Sequence, residues 1–384
     1  MKGKRKILIC IDWYIPGFKA GGPIRSVANI VNAFKNEFEF YILTSAFDLG
    51  ETEPYDNVQF NQWHDKKGIF IKYLDKKLLN SSAISGNIKE VNPDVIYLNS
   101  LFSRIFTLIP LAIARKNRIK TIIAPRGMLG EASLKIKSTK KLSFLKLSKL
   151  LGWYKNVIWH ASTEQEKKDI ESIFGKKANI QIAQNIPLSQ KLELKNILNR
   201  KKTGKVKFVY ISRIAVIKNL NLAIDAIKRV NTSQKIEFDI YGNIEDEDYF
   251  NSFKKDIKKH NCVSIQYKGL LNPNEIADTY ANADFMILPT MHENYGHAIV
   301  EAWSNGCPVI ISRNTPWKNL RVQDLGWDVD ISDPQNLISA VQEGIDLDFT
   351  SYIQMVRSSY NYFINKICDD KIIEANRKLF SDEN

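Results

Sequence analysis

DFMILPTMHENYGHAIVEAWSNGCPVIIS, residues 284–312, reads as one strand–helix–strand unit. Residues 284–288 and 308–312 are short apolar runs, and 297–305 between them has helical character. The same alternation spreads outward in both directions. Strands are expected at 205–212, 235–241 and 263–267, and helices at 219–230, 247–260, 273–282 and 334–345. The first half repeats the scheme, with strands at 6–12, 38–44, 94–99, 120–124 and 156–161. A helix over 23–36 opens on Pro23, a residue suited to the first helical position. Alternation of this kind implies an α/β chain whose parallel sheets are covered by helices.

Two such series, each about 180 residues long, predict two Rossmann-like domains. The break is expected near 188–204, where SQKLELKNILNRKKTG is polar, charged and without strand character. The expected domains are 1–187 and 188–364, with a C-terminal helix at about 365–384 that can pack back on the first. Ligands of such folds bind at the carboxyl ends of the strands, so a cleft faced by both sheets is the expected site.

Bulk properties narrow the function classes. The chain has 384 residues, 44% hydrophobic and 25% charged, enough apolar material for two cores. A net charge of +13 favours anionic partners without choosing among nucleic acid, an acidic membrane face and phosphorylated small molecules. Cys10, Cys262, Cys307 and Cys368 form no CxxC pair and no metal spacing, so free thiols in a reducing compartment are expected. The start, MKGKRKILICIDWYIP, reads as a first strand rather than a signal peptide, because Asp12 interrupts a short apolar run. No stretch is long and apolar enough to span a membrane, and a cytoplasmic protein is expected.

Three elements carry chemistry. Glu293 and Glu301 stand eight positions apart across a loop-to-helix junction, with Gly296 where the helix begins. Backbone amides of Tyr295, Gly296 and His297 at a helix start suit an anion. Along a helix, eight residues rise about 12 Å, a span over which two carboxylates could engage a ribose and a hexose flanking a diphosphate. By spacing alone, two unrelated glutamates fit as well. Arg213 and Lys218 follow one strand and precede a helix, and a fork and a point charge there suit a diphosphate; solvated loop charges are the alternative. Gly21-Gly22 lets backbone approach a phosphate, or simply makes a turn.

Taken together, these elements resemble glycosyltransferase family 4, whose members have the GT-B fold. The likeness lies in Pro289-Thr290, Glu293, Gly296, Glu301-Ala302, Gly306 and Pro308-Val309, in Arg213-Ile214 with Lys218-Asn219, and in the run from Tyr280 to Pro289. It implies a retaining transferase using a nucleotide-sugar, UDP- or GDP-linked, with no cofactor and no metal. By the same likeness, Arg213 and Lys218 bind the diphosphate, Glu301 the ribose hydroxyls, and Glu293 the donor sugar. Backbone at Asn294, Tyr295, Gly296 and His297 assists Glu293; Gly21 and Gly22 approach the diphosphate; the base lies near Gly242 and Leu270. Family members often carry a histidine where APRGML places Arg126, so Arg126 is taken as a residue facing donor or acceptor, or as a salt-bridged loop arginine. YGNIED around Gly242 also lacks the usual second glycine.

Other features are weighed beside these. His160, His292 and His297 read as core or peripheral histidines as readily as ligand contacts. Asp246-Glu247-Asp248 is a DxD, but it opens a helix, where acids are favoured. Residues 133–155, SLKIKSTKKLSFLKLSKLLGWYK, hold seven lysines and no acid. Phe144, Leu147, Leu151 and Tyr154 fall near one helical face, which suits either an anionic membrane surface or a core stripe. No nucleic-acid module accompanies the lysines. The acceptor is expected to be a saccharide or a polyprenyl-linked saccharide of bacterial polysaccharide synthesis, handled peripherally on the inner membrane face. A nucleotide-sugar epimerase of the same architecture and a non-enzymatic two-domain binder are the rival readings.

Overall fold

In the computed structural model, which describes residues 3–56, 58–135, 138–187, 204–260 and 262–381, the chain divides into two units. One comprises residues 1–186 with 370–384, the other 187–369. The polar stretch 188–203 lies outside the described residues, and the division falls beside it, at Ile186 and Pro187.

The first unit is built on β1 (Lys6–Cys10), β2 (Glu39–Ser45), β3 (His64–Asp65), β4 (Ile69–Leu74), β5 (Val95–Leu98), β6 (Lys120–Ile123), β7 (Ile158–Ala161) and β8 (Ile180–Ile182). Their order is β3-β4-β2-β1-β5-β6-β7-β8, parallel except for the short edge pair β3–β4. Ile7, Leu8, Ile9 and Cys10 are all fully buried because helices cover both faces of the strand they form. Alternate side chains go to opposite layers: Ile7 and Ile9 join the core with helix Gly22–Phe34, while Leu8 and Cys10 join the core with helix Ser81–Val91. Cys10 and Cys307 are buried, and among the described residues no disulfide joins any of the four cysteines.

The second unit contains β9 (Lys205–Ile211), β10 (Lys235–Tyr241), β11 (Lys259–His260), β12 (Val263–Gly269), β13 (Phe285–Leu288), β14 (Val309–Ser312) and β15 (Gly326–Val329), in the order β11-β12-β10-β9-β13-β14-β15. Only β11–β12 is antiparallel. In each sheet the strand order reverses beside the first strand of the unit, between β1 and β5 and between β9 and β13. Loops leaving those strands diverge to opposite sides and leave a crevice at their carboxyl ends.

Several sequence expectations are corrected. The helix expected over 247–260 stops at Phe253, tightens through Lys254–Asp256, and gives way to β11. Strands β4, β8 and β15 were not anticipated. The tail forms helices Phe349–Tyr362 and Asp370–Phe380, joined through a π-turn at Phe363–Ile367. The last helix belongs to the first unit. Leu379 and Phe380 are fully buried there, Phe380 meets Phe40 edge-on at 6.0 Å, and Asn376 Nδ2 donates to the Gln184 carbonyl at 2.7 Å.

The face named in the basic stretch is also split. Tyr154 is buried against Trp159 and Phe174, and Phe144 packs on Phe102 and Trp153, while Leu147 and Leu151 are exposed. Among the described residues no helix is long and apolar enough to cross a membrane.

Candidate functional site

In the second unit the crevice is laced by main-chain bonds. Ile214 N donates to Asn243 O at 2.7 Å, and Glu245 N to Ile214 O at 3.0 Å, which holds together the loops after β9 and β10. Thr290 Oγ1 and Met291 N both donate to the Ile217 carbonyl, at 3.0 and 2.8 Å, so the loop after β13 is clamped to the turn Val216–Lys218. Asn219, left-handed at φ 57°, then starts helix Leu220–Arg229. Glu293 N donates to Asn314 O at 3.0 Å. These bonds bring two residues 75 positions apart into contact: Lys218 Nζ lies 2.5 Å from Glu293 Oε2, with side chains only 11% and 18% exposed.

The structure therefore pairs a residue expected on the diphosphate with one expected on the sugar. Arg213, half exposed, is paired with Glu245, a partner that was not anticipated. Glu245 was detectable in principle, since it ends the loop of the neighbouring strand in YGNIED. Both cations thus stand at the carboxyl end of β9 with a carboxylate beside each.

Gly296 adopts φ 82°, which favours glycine, and caps helix His297–Ser304. A Cβ there would come within 2.8 Å of Ile299 Cδ1 and 3.1 Å of Glu293 Cγ, so Gly296 lies directly against Glu293. Only the second half of the Glu293-to-Glu301 interval is helical, and the 12 Å rise expected along a helix does not apply. Glu301 is buried in that helix. Tyr295 is core: its ring meets His297 and Trp317 edge-on at 5.1 and 5.6 Å, and its carbonyl accepts from Trp317 Nε1 at 2.6 Å. Asn294 and His297 flank it, half-buried.

Gly242 and Leu270 stand at the ends of β10 and β12. A Cβ on Gly242 would lie 1.8 Å from the Ser212 carbonyl oxygen, so strand packing alone demands glycine there. Its N–H donates to Gly269 O at 2.9 Å and its carbonyl accepts from Tyr267 Oη at 2.9 Å. Leu270 is exposed. Asp246 caps helix Glu247–Phe253, accepting from Tyr249 N at 2.9 Å, and Glu247 and Asp248 fill its first turn. The DxD therefore has a helix-capping role.

In the first unit, Gly21 (φ 67°) caps helix Gly22–Phe34, and a Cβ on Gly21 would meet nothing within 4 Å. Asn99, at the end of β5, reaches Pro23 O at 3.4 Å with Nδ2 and accepts from Arg126 Nε at 2.8 Å with Oδ1. Arg126 Nη1 donates to Asn185 Oδ1 at 2.6 Å and Nη2 to Tyr97 Oη at 2.7 Å. All three acceptors are neutral, so among the described residues Arg126 is not a salt-bridged loop residue. The nearby Glu166 instead accepts from Gly127 N, Ser162 N and Ser162 Oγ at 2.7–2.8 Å.

His160 completes this network and is a core histidine. Its Nε2 lies 2.8 Å from the Ala183 carbonyl and its Nδ1 2.8 Å from Tyr97 Oη. A carbonyl only accepts, so Nε2 carries the proton and Tyr97 donates to Nδ1 while receiving from Arg126. Sequence reasoning missed Tyr97, Asn99 and Asn185. It also missed Asp12, at the end of β1, whose Oδ1 accepts from Ser103 Oγ at 2.6 Å. Burial holds the Asp12 carboxyl above its usual range, against the lowering effect of Ser103. The signal for Asp12 and Asn99 was polarity at the carboxyl ends of two apolar strands.

Burial first, and the Arg126 charge second, push His160 down to about 3. An unfolded histidine titrates near 6.5, so between about pH 6.5 and 3 the unfolded chain binds the extra proton. The stability held by the neutral ring is full above that window and is lost as pH falls through it, by about 1.4 kcal/mol per pH unit. Denaturant unfolding should show the first unit about 2 kcal/mol less stable at pH 5 than at pH 7 from this group. His160→Gln, weaker at pH 7, should lack that component; an unchanged slope would remove His160 as its source.

Comparison with known proteins agrees with this architecture. Residues 191–351 match the family model described as Glycosyl transferases group 1. An uncharacterised glycosyltransferase of Methanocaldococcus jannaschii is 25% identical over 299 residues, covering 76% of this chain and 75% of the relative. Anabaena HepE, solved with UDP and glucose, superposes with a TM-score of 0.70 at 13% identity, over 98% of both chains. Sucrose-phosphate synthase of Thermosynechococcus elongatus gives 0.71 at 14% identity, again over 98% of both. The fold is GT-B, two Rossmann-like α/β units with largely parallel sheets. Fold, domain match and relative together support a GT-B glycosyltransferase.

Proposed function

We propose that the protein transfers a glycosyl group from a nucleoside diphosphate sugar, UDP- or GDP-linked, to a hydroxyl of a saccharide or polyprenyl-linked saccharide, with retention of anomeric configuration. The observation that carries this reading is the Lys218–Glu293 pair, set at the strand-order reversal of the unit that holds the matched domain. A cation and a carboxylate in one spot suit the two halves of such a donor, with the phosphate on Lys218 and the sugar hydroxyls on Glu293.

In this reading Arg213 and Lys218 neutralise charge as the diphosphate leaves, an electrostatic contribution of the kind that dominates such steps. Glu301 takes ribose hydroxyls. Backbone at Asn294, Tyr295, Gly296 and His297 supports the sugar, and Gly242 and Leu270 border the base. In the first unit, Gly21 and Gly22 approach the phosphates, and Arg126 faces a reactant. With two cations on the diphosphate, no metal is needed. The leaving diphosphate oxygen takes the acceptor proton as the acceptor attacks the same face. Such an enzyme would act in bacterial surface-polysaccharide synthesis, in the cytoplasm at the inner membrane face.

A thermal-shift screen with UDP, GDP, ADP and their sugars tests the donor. A ligand that binds only the folded state at a hundred times its Kd stabilises it by about 2.7 kcal/mol. One nucleotide family should raise the melting temperature and be consumed only with an acceptor present. No shift from any of them would refute the reading.

A further inference from the structure

Helix Ser138–Leu150 meets different surroundings on its two faces. Inward, Leu145 and Ser148 are buried. Outward, Leu142, Leu147 and Leu150 are 39%, 50% and 83% exposed, and Leu151, just past the helix, is 50% exposed. Leu142, Lys146 and Leu150 follow one another at four-residue steps, so they form a single row along the outer face, with Leu147 and Leu151 on the row beside it. Apolar side chains left in water as a group mark a surface that something covers.

Where this helix ends, a cavity of about 650 Å³ opens, lined by Lys149, Lys155 and Lys177 over Tyr154, Trp159 and Phe174. Among the described residues no acidic side chain lines it. Lys149 Nζ donates to the Ile173 carbonyl at 2.8 Å, and among the described residues none of the three lysines forms an ion pair. Val157 and Asn179, also in its wall, immediately precede β7 and β8. The cavity thus lies at the amino ends of the parallel strands, on the opposite side of the first unit's sheet from Asp12, Asn99 and Arg126.

We propose that this surface docks the protein on an anionic phospholipid bilayer. The four leucines enter the interface, and Lys149, Lys155 and Lys177 take lipid phosphates at the cavity mouth. Leucines in the acyl boundary with lysine ammoniums drawn up to the phosphates are what an interfacial helix requires. A protein partner fits less well, because the centres of protein interfaces are depleted in lysine. Nucleic acid gives the leucines nothing to bury against. The surface deepens the proposed reading, which puts the protein at the inner membrane face, and because it is tested without any assay of transfer its failure would leave the transfer reading standing.

The full-length chain is co-sedimented with phosphatidylcholine vesicles, with and without phosphatidylglycerol. It should pellet with the anionic vesicles only, and raised salt should weaken the binding. Each surface lysine adds about tenfold or somewhat less, so replacing Lys149, Lys155 and Lys177 together by glutamine should lower partition about a hundred-fold. Leu147→Asp with Leu150→Asp should abolish it while leaving the melting temperature unchanged, since both side chains are exposed. Equal binding to neutral vesicles, failure of the parent protein to pellet, or unchanged partition of both variants would overturn the proposal. A leucine variant that changes only the oligomeric state on gel filtration would assign the surface to a second copy of the chain instead.

Discussion

Glu293→Ala should lower the transfer rate by about 10²–10³-fold while nucleotide affinity falls little. That magnitude is what loss of one preorganised polar group aimed at the reacting centre costs. The carboxylate sits 2.5 Å from Lys218 with both side chains largely buried, so its removal also strands a cation. An unpaired charge in such a place destabilises by roughly 3 kcal/mol. The two effects are separable. Transfer is measured well below the melting temperature of the variant, and stability by denaturant unfolding. Lys218→Ala should instead weaken nucleotide diphosphate binding, and the double variant should be no less stable than either single one, because neither charge is then stranded. Glu301→Ala should lower nucleotide affinity and leave the sugar step intact. If Glu293→Ala is less stable yet turns over normally, the pair is structural and the proposed donor site is wrong.

Gly242→Ala should destabilise the second unit, whatever it does beside the base. The new Cβ would lie 1.8 Å from the Ser212 carbonyl oxygen and 2.7 Å from its carbon, both backbone atoms. Backbone of neighbouring β9 must move, which breaks the Ser212 N to Tyr241 O bond that continues the ladder. A loss on the order of 4 kcal/mol, at the upper end for single substitutions, is expected. In calorimetry that corresponds to about a 10 °C fall in the transition of the second unit, with the first unit unmoved. Gly21→Ala is the control. It needs only a positive-φ conformation (φ 67°, ψ −119°) in open space, and should cost about 1–3 kcal/mol. A small effect at Gly242 would show that strand packing does not demand glycine there.

Reading from sequence went furthest where structure is local. The strands at 205–212, 235–241 and 308–312 are continuous apolar or alternating runs, and each appears within a residue or two of its expected place. β4 was hidden because IFIKYL carries Lys72, buried beneath Trp63 at 5.3 Å and paired with Glu90 at 3.2 Å. β15 was hidden because GWDV has a glycine and an acid. Gly326 is required there, since any Cβ would strike Val309 backbone. The helix over 247–260 ran too long in expectation because KKDIKKH has no helix breaker. What ends it is the pairing of Lys259 and His260 with β12.

Alternating strand and helix runs, together with glycines and prolines at their junctions, are nearest-neighbour properties, so the chain's own order of residues determines two α/β units and puts Arg213, Lys218 and Glu293 in the turns after strands and Glu301 in the helix that follows. Which of those charges meet is another matter. Lys218 and Glu293 are 75 residues apart, and Arg126 finds Asn99, Tyr97 and Asn185 at separations of 27, 29 and 59. Those meetings follow from β9 lying beside β13 and β5 beside β6, an order set by how whole strands bury their faces. The same holds for the lysine-rich helix. Its sequence contains the leucines, but only packing of Leu145, Ser148 and Tyr154 into the first unit decides that Leu147, Leu150 and Leu151 are the ones left in water.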